Sequence, residues 1–376
     1  MAPSAGTGQF QSGYATLGCS SNVDAALIYS LYGANNIKLS EATVFSSPPA
    51  LTNRLFVDSH EGARLGIAIA NDTDRTVKYT IDGIDDFHTT LAATASIAPR
   101  SSRAAFLDEM VAVSADTNAQ IKITGDGPLS IIGLRFTGKT FATIPSAILG
   151  PAANKYHVFP QYAFGRQADG SFYRTTLLAT AGSGAADCRY QARSSTGAVT
   201  AFSASPSAGD WFTYTPPASQ PIQAGYATLL CSDMVDAQLI YSFYAQDGSK
   251  LSEATVFSSP SAEVAQVLAD GHEGTRLALA IANDTDHGAT YLVRAGDSNG
   301  KEIGRQSLVV NARSTRAFFL DELLSIPADN VGPVLVYADT APSNVIGIRF
   351  SGNLFTTIPS ENEPIQFGVV KPGTVH

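Results

Sequence analysis

The sequence predicts an all-β protein of tandem antiparallel β-sandwich domains, related by internal duplication and joined by a smaller β-rich segment. Three observations predict this fold: a long internal repeat, short apolar runs separated by turn-forming residues, and the rarity of helical periodicity. Only 15% of the 376 residues are charged, which argues against long surface helices rich in Glu and Lys. A chain of this length has room for two or three separate cores.

The repeat is the strongest of these signals. Residues 13–74 align with residues 225–286 without a gap, and 40 of these 62 positions are identical. After single-residue insertions the match resumes at 102–109 with 315–322, at 132–136 with 346–350 and at 143–146 with 357–360. Each copy is therefore about 135 residues long, which is the size of a domain.

The repeat also sets the expected division of the chain. We expect a flexible tail at 1–12, β-sandwich copy 1 at 13–150, an intervening β-rich segment at 151–222, β-sandwich copy 2 at 223–362 and a C-terminal tail at 363–376. Because nothing like the intervening segment precedes copy 1, copy 1 is expected to expose surface that this segment covers in copy 2. The β-prone run Pro364–Val370 predicts that the C-terminal tail donates a strand to another molecule.

Strands are expected where apolar residues alternate or run continuously between turn residues. In chain order these runs are Ala26–Tyr32, Glu41–Phe45, Arg64–Ala70, Val77–Ile81, Ala119–Ile123, Ser130–Phe136, Phe172–Ala179, Cys188–Ala192 and Trp211–Tyr214. Hairpin turns are predicted at Asn71-Asp72, Gly125–Gly127 and Asp247-Gly248, since Gly, Asn and Asp favour tight turns. Phe106–Met110 and Phe319–Leu323 each have room for one helical turn.

Charge and hydropathy exclude some partners and point to a compartment. The chain has 24 basic and 33 acidic residues, a net charge of −9 and no Lys/Arg cluster, so a nucleic-acid partner is not expected. No apolar run approaches the roughly 20 residues of a membrane span, so membrane insertion is not expected either. We expect a secreted or cell-surface protein whose signal peptide is not part of this sequence.

The three cysteines do not form a complete set of pairs. Cys19 and Cys231 are equivalent positions of the two copies, so we expect both to be small buried apolar residues with free thiols. Cys188 has no counterpart. A Cys188–Cys231 bridge is the alternative if the intervening segment packs on copy 2, but the expected count is three free thiols.

A histidine flanked by carboxylates appears once in each copy. The first loop holds Asp58, His60 and Glu61, and the second holds Asp270, His272 and Glu273. Such a set is able to ligate a metal or to act as an acid–base pair. With one His per copy, a metal site lacks ligands. We therefore favour a polar loop whose carboxylates pair with the arginine that follows, Arg64 or Arg276.

Two other groups of residues are weaker candidates. Asp72 and Asp74, with their counterparts Asp284 and Asp286, are spaced to offer oxygens to Ca²⁺, but such turns form readily through local hydrogen bonds alone. The tyrosine pairs Tyr29 and Tyr32, and Tyr241 and Tyr244, are three residues apart. In a strand, each pair is split between the two faces, so we expect one ring of each in the core and one exposed.

Several short motifs resemble a family of tandem β repeats found in large, mostly uncharacterised bacterial secreted and surface proteins. These motifs are Gly13-Tyr14-Ala15, Ala68-Ile69-Ala70-Asn71, Phe106-Leu107-Asp108-Glu109, and Leu134-Arg135-Phe136 followed by Thr143-Ile144-Pro145, each with its counterpart in copy 2. The segment from Val158 to Leu178 resembles the opening element of that family. The resemblance implies an extracellular β-rich repeat and supplies no catalytic residues.

The sequence therefore favours a non-catalytic extracellular or cell-surface protein with a structural or adhesive role. We expect no enzyme activity and no cofactor, and we expect the partner to be the chain itself, associating head-to-tail into filaments, or an extracellular glycan or protein. A carbohydrate-binding module and a hydrolase that uses the Asp-x-His-Glu loops remain alternatives.

Overall fold

The computed structural model describes residues 12–20, 23, 25–146, 154–217, 221–327 and 329–361. The first nine strands are β1 Ala26–Tyr32, β2 Lys38–Phe45, β3 Ala50–Asp58, β4 Arg64–Asn71, β5 Val77–Asp85, β6 Thr90–Ile97, β7 Ser101–Phe106, β8 Asn118–Thr137 and β9 Thr140–Pro145. The others are β10 Asn154–Arg166, β11 Phe172–Ala181, β12 Cys188–Ser194, β13 Val199–Ala204, β14 Trp211–Tyr214, β15 Gln223–Tyr244, β16 Lys250–Phe257, β17 Val264–Asp270, β18 Arg276–Asn283, β19 Ala289–Gly296, β20 Glu302–Val310, β21 Ser314–Phe319, β22 Val331–Ala338, β23 Asn344–Ser351 and β24 Leu354–Pro359.

These strands confirm the predicted all-β fold. The one α-helix of the described ranges, α1, spans Leu320–Leu324, and its counterpart Leu107–Glu109 is a single 3₁₀ turn. Helical turns are therefore present where they were predicted, although the first is two residues shorter than Phe106–Met110 and the second is shifted by one residue from Phe319–Leu323. Among the described residues, no helix is both long and apolar enough to cross a lipid bilayer.

The chain forms two compact units. Unit 1 draws its residues from Met1–Ala25, Ser46–Arg135 and Ile144–Ile148, and unit 2 from Ala26–Phe45, Phe136–Thr143 and Leu149–His376. This division departs from the boundaries expected at residues 150 and 222. The hairpin β1–β2 belongs to copy 1 by sequence but to unit 2 by structure, and the intervening segment is part of unit 2 rather than a separate body.

Unit 1 is built on the sheet order β6-β5-β8-β4-β7, with β3 also paired to β8. In β5, Val77, Tyr79 and Ile81 are buried while the residues between them are more exposed, as one covered sheet face requires. The hairpin predicted at Gly125–Gly127 is wrong, because β8 continues through these glycines as one strand of 20 residues. Within this strand the backbone at Gly127 lies so close to Gly125 that a Cβ atom at Gly125 would have no space.

Unit 2 contains a seven-stranded sheet of order β13-β12-β15-β10-β11-β14, in which β16 also pairs with β15. Two four-stranded sheets, β17-β22-β19-β20 and β21-β18-β23-β24, complete copy 2. The central strand β15 is 22 residues long. Its first half lies between β12 and β10, and its second half lies between β11 and β16.

The hairpin β1–β2 is fixed within unit 2 by buried polar contacts. The backbone N–H of Thr43 donates to Oγ1 of Thr356 at 2.9 Å, and Oγ1 of Thr143 donates to the carbonyl of Thr43 at 2.6 Å. The rings of Phe45 and Phe257 meet edge to face with centroids 4.5 Å apart. A hairpin from the first copy is therefore packed against strands of the second copy.

Candidate functional site

The two histidine loops have the same local structure. Each is a 3₁₀ turn that directly follows a strand, at His60–Gly62 and at His272–Gly274. In the first loop, Asp58 Oδ1 accepts the backbone N–H of His60 at 3.0 Å and lies 2.9 Å from Nδ1 of the same residue. In the second, the corresponding distances to Asp270 are 3.1 and 2.6 Å. The carboxylate therefore closes an Asx-type turn and orients the imidazole of its neighbour.

A buried arginine neutralises the aspartate of each loop. In unit 1, Nε of Arg135 lies 3.0 Å from Asp58 Oδ2, and its guanidinium also donates to the carbonyl of His60 at 3.1 Å. In unit 2, Arg349 Nε donates to the carbonyl of Asp270 at 3.1 Å. The arginine that sequence analysis assigned to this role in copy 1, Arg64, instead forms a bidentate pair with Asp108, at 2.7 Å for each bond.

In unit 2 the loop network extends into the hairpin β1–β2. Arg349 pairs with Glu41, whose carboxylate also lies 2.7 Å from Lys38 Nζ. Glu273 accepts a hydrogen bond from the Tyr32 hydroxyl at 2.6 Å and lies 2.9 Å from Lys38. The hydrogen bonds from Tyr32 and then Lys38 hold the pKa of Glu273 below its ordinary value. These contacts give every charge of the loop an opposite charge and fix the hairpin to copy 2.

Each loop supplies an imidazole that is oriented by the neighbouring aspartate. Within the described parts of the chain, neither His60 nor His272 has a hydrogen-bond partner at Nε2, the atom that would activate a nucleophile. The same described ranges contain no group of three or more His, Cys, Asp or Glu side chains placed to hold a metal ion.

The Asx-rich turns that sequence analysis considered for Ca²⁺ are closed by arginine. Arg100 donates to Asp72 and Asp74 at 2.8 Å each. Arg313 does the same for Asp284 at 2.8 Å and Asp286 at 2.9 Å. The arginine hydrogen bond lowers the pKa of Asp74 and of Asp286, so these carboxylates are already paired with a cation.

In both copies a tyrosine hydroxyl also donates a hydrogen bond to the first aspartate of the Asx-rich turn. Tyr14 donates to Asp72 at 3.0 Å, and its counterpart Tyr226 donates to Asp284 at 2.8 Å. Local sequence indicated the turn but not these partners, which lie 58 residues away along the chain.

The copies differ most at the segment that begins with Gly-Tyr-Ala-Thr-Leu. In copy 2 it is the first half of β15, paired on both sides. In copy 1, residues 12–20 form no strand and are exposed. Among the described residues, the following strand, β1, pairs only with β2. The surface that copy 1 was expected to expose is thus the edge of β1 that faces away from β2, which we call the open edge.

The exposure of the tyrosine pairs depends on how the strand is paired in each copy. It does not show the expected alternation of one buried and one exposed ring in each pair. Tyr241 and Tyr244 are both buried, at 6% and 4% exposure, whereas Tyr29 and Tyr32 are 37% and 39% exposed. The prediction of one core ring in each pair is wrong. In copy 2 the intervening segment covers both rings, and in copy 1 the equivalent cover is missing from the described residues.

The cysteine prediction is also corrected. Cys188 and Cys231 form a disulfide, because β12 runs antiparallel to β15 and places these residues directly opposite each other. Cys19, the counterpart of Cys231, is exposed and free. The structure therefore has one free thiol, and the alternative bridge of the sequence analysis is the one that forms.

No known protein family, characterised protein or solved structure matches this chain.

Sequence analysis did not single out His157, which lies in β10 with 2% exposure. Its Nε2 is 2.8 Å from the carbonyl oxygen of Val235 and 3.0 Å from that of Asn154. Both partners are acceptors, so Nε2 carries the proton and bridges β10 to β15. Burial lowers the pKa of His157 below its ordinary value of 6.5. An isolated histidine in an apolar run gave no sequence signal for this role.

Unit 2 should lose stability as the pH falls below about 6.5. The pKa of His157 is lower in the folded than in the unfolded chain, so the unfolded chain binds more protons in that range. His157→Gln keeps an N–H donor but does not titrate. We expect the urea midpoint to fall more between pH 7.5 and pH 5.5 in the unmodified protein than in His157→Gln. If the urea midpoint falls equally in the unmodified protein and in His157→Gln, the pH dependence belongs to other groups.

Proposed function

We propose that this chain is a non-catalytic structural or adhesive repeat protein of the extracellular space or cell surface, and that it associates through the open edge of β1. The observation that carries the proposal is the difference between the copies. Within the part of the chain that the structure describes, the same strand of the repeat is paired on both sides in copy 2 and on one side in copy 1. An edge strand with free N–H and C=O groups is a site for pairing with another chain.

The duplicated charged residues support a structural role for the rest of the repeat. Arg135, Arg100 and Arg64 each bind acidic side chains in unit 1, and Arg349, Arg313 and Arg276 bind their counterparts in unit 2. Equivalent ion pairs in both copies hold strands and turns together, which is a structural role.

The disulfide supports the proposed compartment. Cys188 and Cys231 are 4% exposed each and lie in the central sheet of unit 2. Stable disulfides of this structural kind form in oxidising compartments and are rare in the reducing cytosol.

Light scattering over a concentration series tests whether the chain associates with itself. We expect the mass to rise with concentration above the 39.3 kDa of one chain. The variant Leu27→Lys places a charge on the open edge, so we expect its mass to stay at that of one chain. Removal of residues 362–376, which lie outside the described residues, shows whether the predicted tail donates the strand. The truncation spares Glu361, whose backbone bonds to that of Gln266. A constant mass in all three proteins would contradict self-association.

Glycan binding is the second candidate, since Tyr29 and Tyr32 present two partly exposed rings on one short strand. Binding to a polysaccharide panel that is lost in Tyr29→Ala/Tyr32→Ala and kept in Leu27→Lys would favour this candidate over strand pairing.

A further inference from the structure

We infer that one face of the sheet β3-β8-β5-β6 in unit 1 binds an anionic polysaccharide, and that Arg54 and Lys122 hold a carboxylate group of this ligand. The face is the side of the sheet turned away from the buried residues of unit 1, and we call it the outer face. The inference goes beyond the proposed function, because it concerns unit 1 alone and does not depend on association through β1.

Strand pairing arranges the residues of the outer face in rows that cross the sheet. In one row, Arg54 of β3 lies opposite Lys122 of β8, and Lys122 lies opposite Asp82 of β5. The neighbouring row consists of four threonines, Thr52, Thr124, Thr80 and Thr94. Because adjacent strands are about 4.8 Å apart, this row of hydroxyl groups is about 14 Å long.

Arg54 is the residue that indicates an anionic ligand. The residue as a whole is half-buried, but its Nε and Nη1 atoms are buried and have no hydrogen-bond acceptor among the residues that the structure describes. Burial lowers the pKa of the Arg54 guanidinium below its ordinary value. Since a guanidinium stays protonated in proteins, its unpaired N–H groups favour a ligand that accepts hydrogen bonds and carries negative charge.

Lys122 places a second cation directly across from Arg54. Like charges in directly opposed positions destabilise a sheet. The ion pairs found within the described part of unit 1 all involve other cations. Asp82, on the far side of Lys122, instead accepts a hydrogen bond from the Thr80 hydroxyl at 3.1 Å. A carboxylate group bound between Arg54 and Lys122 would neutralise both cations.

Copy 2 shows that the fold does not need these polar residues. The residue equivalent to Arg54 is Gln266, and the residue opposite it is Leu335, in the place of Lys122. The row of threonines is replaced by Val264, Tyr337, Leu292 and Ser307. Two cations and a line of hydroxyl groups are therefore particular to copy 1.

The inner face of the same sheet does not differ between the copies in this way. Leu55 and its equivalent Val267 are both buried apolar residues, and so are Tyr79 and its equivalent Tyr291. Packing in the core restricts the inner positions to apolar side chains. The outer positions are free of that restriction and are therefore available for ligand binding.

The other groups of the outer face favour a polysaccharide over a protein segment. β8 is hydrogen-bonded to β3 and β5 at this place, and β5 to β8 and β6, so the centre of the face has no free backbone groups for a peptide strand. Protein interfaces usually have an apolar or aromatic centre, whereas this centre is cationic and rich in threonine. Threonine hydroxyls donate and accept hydrogen bonds, as sugar hydroxyls do. A polymer of uronate sugars offers both hydroxyl and carboxylate groups.

The test is binding of uronate polymers to the full chain, measured by isothermal titration calorimetry in buffer without divalent cations. Polygalacturonate, alginate and hyaluronate are the charged probes. Methyl-esterified polygalacturonate has the same backbone without the charge, and polyglutamate has carboxylates without sugar. We expect at least one uronate polymer to bind at least about tenfold more tightly than either control, because hydrogen bonds to charged groups are the strongest ones available here.

Three variants assign the binding to the outer face. Arg54→Gln introduces the residue that copy 2 has at this position, and it should weaken uronate binding at least about tenfold. Lys122→Gln should weaken it as well, since it removes the second cation. Arg103→Gln is the matched control, because it removes the same charge from an exposed arginine of β7 in unit 1 and should leave the affinity unchanged.

Thermal unfolding followed by circular dichroism separates a loss of binding from a loss of folding. Arg54→Gln removes a buried cation without a counter-charge, so the melting temperature of the free protein should not fall. The uronate polymer that binds should raise the melting temperature of the unmodified protein, because a ligand stabilises the state that binds it. The same polymer should raise that of Arg54→Gln much less.

The inference is wrong if no uronate polymer binds more tightly than both controls, or if Arg54→Gln binds as well as Arg103→Gln. Binding that is lost in Tyr29→Ala/Tyr32→Ala and kept in Arg54→Gln would also overturn it, since the glycan would then lie on β1. The light-scattering experiment is independent of these results. Self-association without uronate binding keeps the proposed function and ends this inference, and uronate binding by a monomer does the reverse.

Discussion

Replacing Arg349 with methionine should destabilise unit 2 by about 3 kcal/mol, because it removes a cation from the buried Glu41. The side chains of Arg349 and Glu41 are 4% and 1% exposed. Breaking a buried pair from one side typically costs about 3–5 kcal/mol. We expect the lower end, since Lys38 remains 2.7 Å from the other carboxylate oxygen of Glu41.

Tryptophan fluorescence is the appropriate measurement. The chain has a single tryptophan, Trp211 in β14, which belongs to unit 2. Its urea transition therefore reports this unit, and variants are compared by their midpoints at equal slope. Arg276→Met is the matched control, because its pairs with Asp321 and Glu322 are substantially exposed and should contribute about 1 kcal/mol or less.

A double-mutant cycle with Glu41→Gln isolates the pair. If Arg349 acts by neutralising Glu41, the double variant should lose less stability than the two single changes added together. Additive losses, or a loss for Arg349→Met no greater than for Arg276→Met, would show that the contact between the hairpin and copy 2 does not depend on this pair.

Individual strands were predictable from local sequence. The predicted bounds of β1, Ala26–Tyr32, and β14, Trp211–Tyr214, match the structure, because apolar residues and flanking turn residues define both ends. The turn at Asp247-Gly248 joins β15 to β16 as expected. The glycines at 125 and 127 were misleading, since Gly allows a close backbone approach within a strand as readily as a turn.

The position of the hairpin β1–β2 was not predictable in the same way. Lys38–Phe45 and Lys250–Phe257 have identical sequences, so no local property says which unit either strand joins. That choice depends on contacts such as Glu41 with Arg349, which are 308 residues apart. Local sequence periodicity does not predict contacts between residues that are so far apart along the chain.

The candidate sites show the same limit. The sequence indicated polar loops at His60 and His272 and named arginine as their counter-ion. The structure assigns Arg135 and Arg349 to this role and gives Arg64 to Asp108. Several arginines in each copy were equally suitable by charge, and only the pairing of the strands decides which one lies beside the loop.

Replacing both Cys188 and Cys231 with alanine should lower the stability of unit 2 by roughly 2–4 kcal/mol. The disulfide closes a loop across a sequence separation of 43 residues, and the loss of chain entropy in the unfolded state gives about 4 kcal/mol for that length. The measured effect should be somewhat smaller, because β12 and β13 are held to β15 by hydrogen bonds as well.

Cys19→Ser is the matched control and should move the Trp211 midpoint little, since Cys19 is exposed and unbonded. Thiol titration in denaturant without reductant should find one free thiol per chain, and three after reduction. Three thiols before reduction would mean that the two cysteines are only neighbours across the strands.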